Sequence, residues 1–131
     1  MRKSGGGQRQ STSAAAAEPL FAHEFSARGP SEGKSVRVIG KVTTYVARAN
    51  RALIEHKGGK VGVDTTLTGS AAGAVGSFAQ VFGEYVGPEA TKKQGVIPLV
   101  RARIFVPSPG LDAELLEQTF AARRDFLANR V

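Results

Sequence analysis

Five stretches of alternating apolar and polar residues, a ten-residue break after the third, and one amphipathic stretch at the C-terminal end predict the fold class. It is all-β with a C-terminal α-helix: a five-stranded OB-fold barrel of Greek-key order, with a short helix or loop between strands three and four. Three strands in a meander, a crossover, two strands and a helix make up that order. An SH3-like barrel also has about five strands but lacks a crossover of this length here.

The first element is a long strand. In Ser35 to Ala47, Val36, Val38, Val42 and Val46 fall on one face, and Arg37, Lys41 and Tyr45 on the other, with Ile39 an apolar exception. Gly40, in mid-strand, marks a bulge or sharp bend, which lets one strand serve two sheets. A turn around Asn50 leads to a second strand, Ala52 to His56. Lys57-Gly58-Gly59-Lys60 is a hairpin signal, its glycine pair supplying the positive φ such turns need. The third strand follows, Lys60 to Thr66, then the small-residue crossover Leu67 to Gly76. Ser77 to Val86 is the fourth strand, with Gly83 inside it, and Gly87 to Gly95 a polar loop. In the fifth strand, Val96 to Val106, Val100, Ala102 and Ile104 alternate with Arg101, Arg103 and Phe105.

The last element spans Gly110 to Leu127, with Asp112 as its cap and acids early, arginines late. Its large residues spread over roughly half the circumference, wider than the ~100° stripe that docks a surface helix. Such a helix has two customers, its own domain and another protein. Leaving Phe126 and Leu127 in water would forgo roughly 1.5–3 kcal/mol each. Either the apolar lead-in Pro19 to Ser26, expected to fold back over one end of the domain, covers them, or a partner helix does, with Arg37 or Arg130 at the rim.

Residues 18–131 thus form one OB domain, and residues 1–17, without apolar periodicity, a disordered tail. That tail has the basic, acid-free character of a mitochondrial presequence, but its triple glycine and missing amphipathic face argue against one. The absence of cysteine excludes disulfides and thiolate metal sites and points to an intracellular address. Nothing approaches the ~18 apolar residues of a membrane span.

Of the formal net charge of +7, residues 35–106 hold ten Lys/Arg against four acids, whereas residues 107–131 hold three against four. A basic barrel with a non-basic helix is compatible with nucleic acid, an acidic partner or plain solubility. An OB barrel binds single strands across its second and third strands and the flanking loops. Arg48, Arg51, Lys57, Lys60, Lys92, Lys93, Arg101 and Arg103 lie there or beside it, with Tyr45 as a stacking candidate. Tyr45, Tyr85 and Phe105 are the aromatic candidates on outward faces, so DNA binding by this chain alone is expected to be weak.

Catalytic signatures are missing, and no cofactor is implied. His23 and His56 lie far apart in sequence without a cysteine, so they read as ordinary surface or packing histidines and no metal site is expected. Gly69, Gly73 and Gly76 lack the Gly-Lys-Ser/Thr ending of a phosphate loop. Asp64 and Glu84, at alternating strand positions, read as solvated carboxylates. The chain is not expected to be an enzyme.

Several of these segments together resemble a known family. They are GKSVRVIGKVTTYVARANRALIEH, VGSFAQVFGEYV, and VRARIFV followed by LDAELLEQTFAARRDF, with the Leu-x-x-x-Glu-Phe-Ser lead-in at Leu20 to Ser26. The family is the smallest subunit of the CST telomere-capping complex (the Ten-one family), and the resemblance covers about Leu20 to Arg130. Its most telling pieces are Gly76-Ser77, Gly83-Glu84, Arg101-Ala102-Arg103 and Leu115-Leu116-Glu117-Gln118.

The resemblance implies one OB fold that heterodimerises with the N-terminal OB domain of an Stn-one-type protein, beside a third CST subunit, on telomeric G-rich single-stranded DNA in the nucleus. The matching partner positions are Arg37, Leu111, Leu115, Thr119, Phe120, Arg123, Phe126 and Arg130, with Leu127 on the same helix. Such complexes also take part in fill-in synthesis with polymerase α–primase. The small subunit of replication protein A shares the barrel-plus-helix plan, but the Glu-Phe-Ser lead-in and the long crossover favour Ten-one. A stand-alone single-strand-binding protein and a structural adaptor without DNA contact remain open.

Overall fold

The computed structural model describes residues 19–28 and 32–129. The expected tail and Arg130 lie outside them. The lead-in forms a short strand, β1 (Pro19–Phe21), and a helix, α1 (Ala22–Arg28). The five expected strands are β2 (Ser35–Val46), β3 (Arg51–His56), β4 (Gly59–Asp64), β5 (Phe78–Thr91) and β6 (Gly95–Pro107). The crossover carries a 3-10 turn at Ala72–Ala74, and the last element is α2 (Ala113–Ala128).

Strand order β2-β3-β4-β6-β5 closes on itself through a β2–β5 pairing, with β4 and β6 parallel and β1 added parallel to β2. Closure requires β2 to serve two walls: its first half pairs with β5 from Ser35↔Glu84 to Lys41↔Phe78, its second half with β3. The bulge that bends it is at Thr43 rather than Gly40, since Val42 faces Ile54 and Thr44 already faces Leu53. Thr43 donates its hydroxyl to Glu55 at 2.7 Å. Gly40 serves close approach instead, because a Cβ there would sit 3.2 Å from the Glu55 amide nitrogen and carbonyl oxygen.

A bulge shifts the two-residue period by one, and everything beyond it changes face. Past Thr43, Val46 becomes exposed and Tyr45 packs against the core. The same happens in β6: Phe82 pairs with Ile104 but Gly83 with Ala102, leaving Arg103 as the extra residue. Ile104 is therefore 55% exposed, and Phe105 packs against the core. The alternation expected for both strands holds up to the bulge and inverts after it.

Gly83, beside that second bulge, has no room for a Cβ, which would overlap the Arg101 carbonyl. The polar loop expected after β5 is an extension of the β5–β6 hairpin, paired out to Thr91↔Gly95. The β3–β4 turn uses Lys57 (φ 48°) and Gly58 (φ 83°) for its positive φ values. Gly59 instead begins β4 and lets α1 lie directly against it, since a Cβ would overlap the His23 backbone.

The core inside the barrel comes from the alternating residues: Val38, Val42, Ile54, Val61, Val63, Val81 and Val100, all fully buried. Phe25 of α1 joins it, edge-on to Tyr85 at 5.4 Å between centroids. The lead-in thus plugs one end, as expected. On the outer wall, Phe21 is fully buried among the rings of His56 and Phe120. Ile39, Phe21's partner in the β1–β2 register, is equally buried, which accounts for its break in the outer polar pattern. Among the described residues no helix is long and apolar enough to cross a membrane.

Candidate functional site

Helix α2 starts where the sequence places it: Asp112 accepts from the Leu115 amide at 3.0 Å, satisfying one of the unpaired first-turn donors. Two stripes then run along it with identical spacing. Ala113, Glu117, Phe120 and Arg124 form one. Leu115, Thr119, Ala122 and Phe126, offset by two residues, lie about 200° around the axis.

The first stripe faces home. Arg124 pairs with Glu24 at 2.8 Å and donates to the Pro19 carbonyl at 3.1 Å. Phe120 packs on Phe21 with centroids 6.1 Å apart. Glu117 meets Lys57 at 3.0 Å, His56 at 3.2 Å and His23 at 3.3 Å. Burial pushes both carboxyls up. It is outweighed by Arg124 and the Phe21 amide at Glu24, and by Lys57 and His56 at Glu117, so each ends below the usual carboxylate value.

The second stripe has no partner in the barrel. Leu115 is 59% and Phe126 69% exposed, and no residue of the helix is fully buried. Thr119, also exposed, turns its hydroxyl back to the Leu115 carbonyl at 2.9 Å. Arg123 and Leu127, both exposed, flank this stripe. The lead-in therefore covers the helix at Phe120 and Arg124 but not at Phe126. Leu111, half-buried, precedes the cap with its amide on the Ser108 carbonyl. Arg37 is separate from the helix stripe: it stacks over Phe82 at 5.2 Å and donates to Gln80, on the wall beside β1.

The basic residues divide in two. One group gathers on the β3–β4 side beneath the long hairpin. Arg51 grips Glu89 with two hydrogen bonds of 3.1 and 3.0 Å, and Lys60 reaches Gln94 at 2.7 Å. These contacts lay the β5–β6 hairpin over strands β3 and β4. Lys92 and Lys93 occupy its turn, and Arg48, exposed, lies in the 3-10 turn before Arg51. None of these three makes an ion pair among the described residues. Arg101 approaches Asp64 at 3.8 Å.

Lys57 and Arg103 are apart from that group. Lys57 is tied to Glu117 at the helix, and Arg103 pairs with Glu84 at 3.2 Å on the β5–β6 wall. Tyr45, Tyr85 and Phe105, expected on outward faces, all pack against the core. The bulges turn Tyr45 and Phe105 inward, and Phe25 draws Tyr85. Outward aromatic platforms are thus fewer than the alternation implies.

One carboxylate departs from expectation, and another brings two histidines together. Asp64 is buried, accepting from the Thr66 hydroxyl at 2.6 Å and amide at 2.9 Å and facing Arg51 at 3.5 Å. Burial pushes its carboxyl up, but Thr66 and the two arginines hold it below the usual value. Glu117 is the point where His23 and His56 meet, with ring centroids 5.3 Å apart. Distance along the chain concealed that meeting, because α1, β3 and α2 converge only through the fold.

Across the sequence, residues 13–130 match the protein family described as telomere-capping, CST complex subunit. The chain belongs to that family. Two solved structures share its architecture. The S. pombe Stn1–Ten1 complex contains a chain 14% identical, aligned over 84% of this chain and 93% of that one with a TM-score of 0.64. The S. pombe telomere-capping protein Ten1 is 15% identical, over 84% and 99%, with a TM-score of 0.62. At such identities the likeness is one of fold, the OB barrel with a C-terminal helix. No curated protein matches this telomere-capping family member by sequence.

Proposed function

We propose that this chain is a non-enzymatic telomere-capping subunit that heterodimerises with an Stn1-type OB-fold protein. With a third CST subunit, the pair protects telomeric G-rich single strands in the nucleus, at the chromosome end. The observation that carries the reading is the second stripe of α2. It presents Leu115, Thr119 and Phe126 to solvent on a helix whose opposite side is already docked. A partner helix laid along that stripe completes the burial, with Arg123 and Leu127 at its border and Leu111 at its start. Family membership and the likeness to a chain in an Stn1–Ten1 complex support the same partner.

DNA contact is assigned to the β3–β4 face and the hairpin turn, where Arg48, Lys60, Lys92 and Lys93 offer charge without an ion-pair partner among the described residues. Arg51 and Arg101 are held by Glu89 and Asp64 and act chiefly as the frame of that face. With the rings turned inward, affinity comes mainly from phosphate contacts and depends steeply on salt. The test is reconstitution with an Stn1-type protein, followed by light scattering on the mixture. A 1:1 complex that binds G-rich single strands more tightly than this chain alone is the expected result. A chain that stays monomeric beside its partner, yet binds DNA unaided, would instead make it a stand-alone single-strand binder.

A further inference from the structure

We propose that His23, His56 and Glu117 form a binding site for a divalent metal ion of the zinc class, at the joint between the lead-in, the barrel and the C-terminal helix. Each ligand comes from a different element: the first turn of α1, the last residue of β3 and the second turn of α2. One donor atom from each can be chosen so that all lie within 4.8 Å of one another.

In a tetrahedral site with metal–ligand bonds of about 2.0–2.2 Å, neighbouring ligand atoms are separated by about 3.3–3.6 Å. The His23 Nε2–Glu117 Oε2 and His56 Nε2–Glu117 Oε1 separations, 3.3 and 3.2 Å, are of that length, but each imidazole meets its own carboxylate oxygen. A site with one Glu117 oxygen as ligand therefore draws the other imidazole toward it. Since the three donor atoms lie within 4.8 Å of one another, a closure of about 1.5 Å or less brings them to that spacing. Two imidazoles and a carboxylate without thiolate suit zinc and its first-row neighbours, whereas magnesium and calcium prefer all-oxygen sets.

The surroundings favour a held site over a chance encounter of side chains. Gly59 keeps the His23 backbone directly against β4, and Phe21 and Phe78 flank the His56 ring at 4.7 and 5.8 Å. Side-chain exposures of 28% for His23, 12% for His56 and 20% for Glu117 leave the cluster partly accessible to solvent, so an ion and a water ligand can reach it. One cation already balances the carboxylate: the Lys57 ammonium, 3.0 Å from Glu117, on a side chain 60% exposed and free to swing out. The ion takes over its charge and adds coordination bonds. Because those bonds link α1, β3 and α2, metal binding fixes the first half of the helix to the barrel, independently of any partner on its outer stripe.

The test uses the full 131-residue chain without an affinity tag, titrated with zinc by calorimetry and with cobalt by visible spectroscopy. One equivalent of zinc is expected, with a raised melting temperature and the ligand-field bands of low-coordinate cobalt. Glu117→Gln and His56→Gln should each weaken binding by more than the ~10–100-fold that loss of a mere outer-shell partner costs. Lys57→Ala removes the competing ammonium and no ligand, so it should bind at least as tightly as the native chain. Absence of saturable 1:1 binding overturns the proposal, as does affinity unchanged in both ligand variants. The cobalt spectrum of the native chain decides the matter even if a histidine variant fails to fold.

Discussion

Replacing Phe126 by glutamate should separate docking from folding. In the free subunit the side chain is 69% exposed, so the change belongs with surface substitutions, usually within about 0.5 kcal/mol of neutral. In a complex that buries the stripe, the part of Phe126 still open to water carries roughly 1–2 kcal/mol of the 1.5–3 available to a large apolar side chain. Truncation to alanine should therefore weaken partner binding about 5–30-fold. Glutamate adds a carboxylate stranded in an apolar contact, and the loss should pass about 100-fold. Leu115, 59% exposed and about three turns away on the same face, should behave alike.

The assay is calorimetric or optical titration with the Stn1-type OB domain, alongside thermal melts of each free variant. Phe120→Ala is the contrasting control. Its ring packs on Phe21, so it should lower the melting temperature of the free chain, which Phe126→Glu should leave within a few degrees. Native affinity in both Phe126→Glu and Leu115→Glu would refute the two-stripe reasoning. So would a melting temperature that falls as far as the affinity does.

Gly83→Ala should cost more than ~3 kcal/mol, or roughly 10 °C in melting temperature, because its Cβ meets the Arg101 carbonyl rather than a flexible side chain. Gly73→Ala, with open space around it, should be near neutral, and similar melts for the two would remove the close-approach argument. Lys92→Glu with Lys93→Glu should weaken single-strand binding by the heterodimer and flatten its salt dependence by about 1.4 in log–log slope, the share of two phosphate contacts. An unchanged slope takes the hairpin turn off the phosphate track.

Acid should loosen the helix. The Glu24 carboxyl lies below its ordinary 4.5 in the folded chain, so its contribution is full above pH 4.5 and disappears as pH falls through the lower folded value. Glu24→Gln should lose about 1.5–3 kcal/mol at neutral pH and part of that acid dependence, read from urea unfolding against pH. A variant with the native pH profile would show that the Arg124 pair, with His23 nearby, does not hold α2.

The five barrel strands, the crossover, the C-terminal helix and its Asp112 cap are legible in the sequence, because each depends on local periodicity or on a turn residue. The short strand and helix of the lead-in and the extension of β5 to Thr91 are not. Nor are the bulges at Thr43 and Arg103. A bulge follows from the demand that a strand bend to close the barrel, and no residue type announces it, so the faces of Tyr45, Ile104 and Phe105 reverse without local warning. The Asp64 carboxylate looks solvated in its strand because Arg51 and Arg101 arrive from other strands. The histidine pair is hidden for the same reason.

Helix α2 is the clearest division between what sequence and fold each determine. Its pattern alone shows an apolar stripe wider than its own domain needs, which either the lead-in or a partner could cover. The two stripes have the same spacing, so helical periodicity cannot rank them. Long-range pairing ranks them: Glu24 reaches Arg124 across 100 residues of chain, and His56 reaches Glu117 across 61. Those contacts commit the Phe120 side to the barrel and leave Phe126 facing outward.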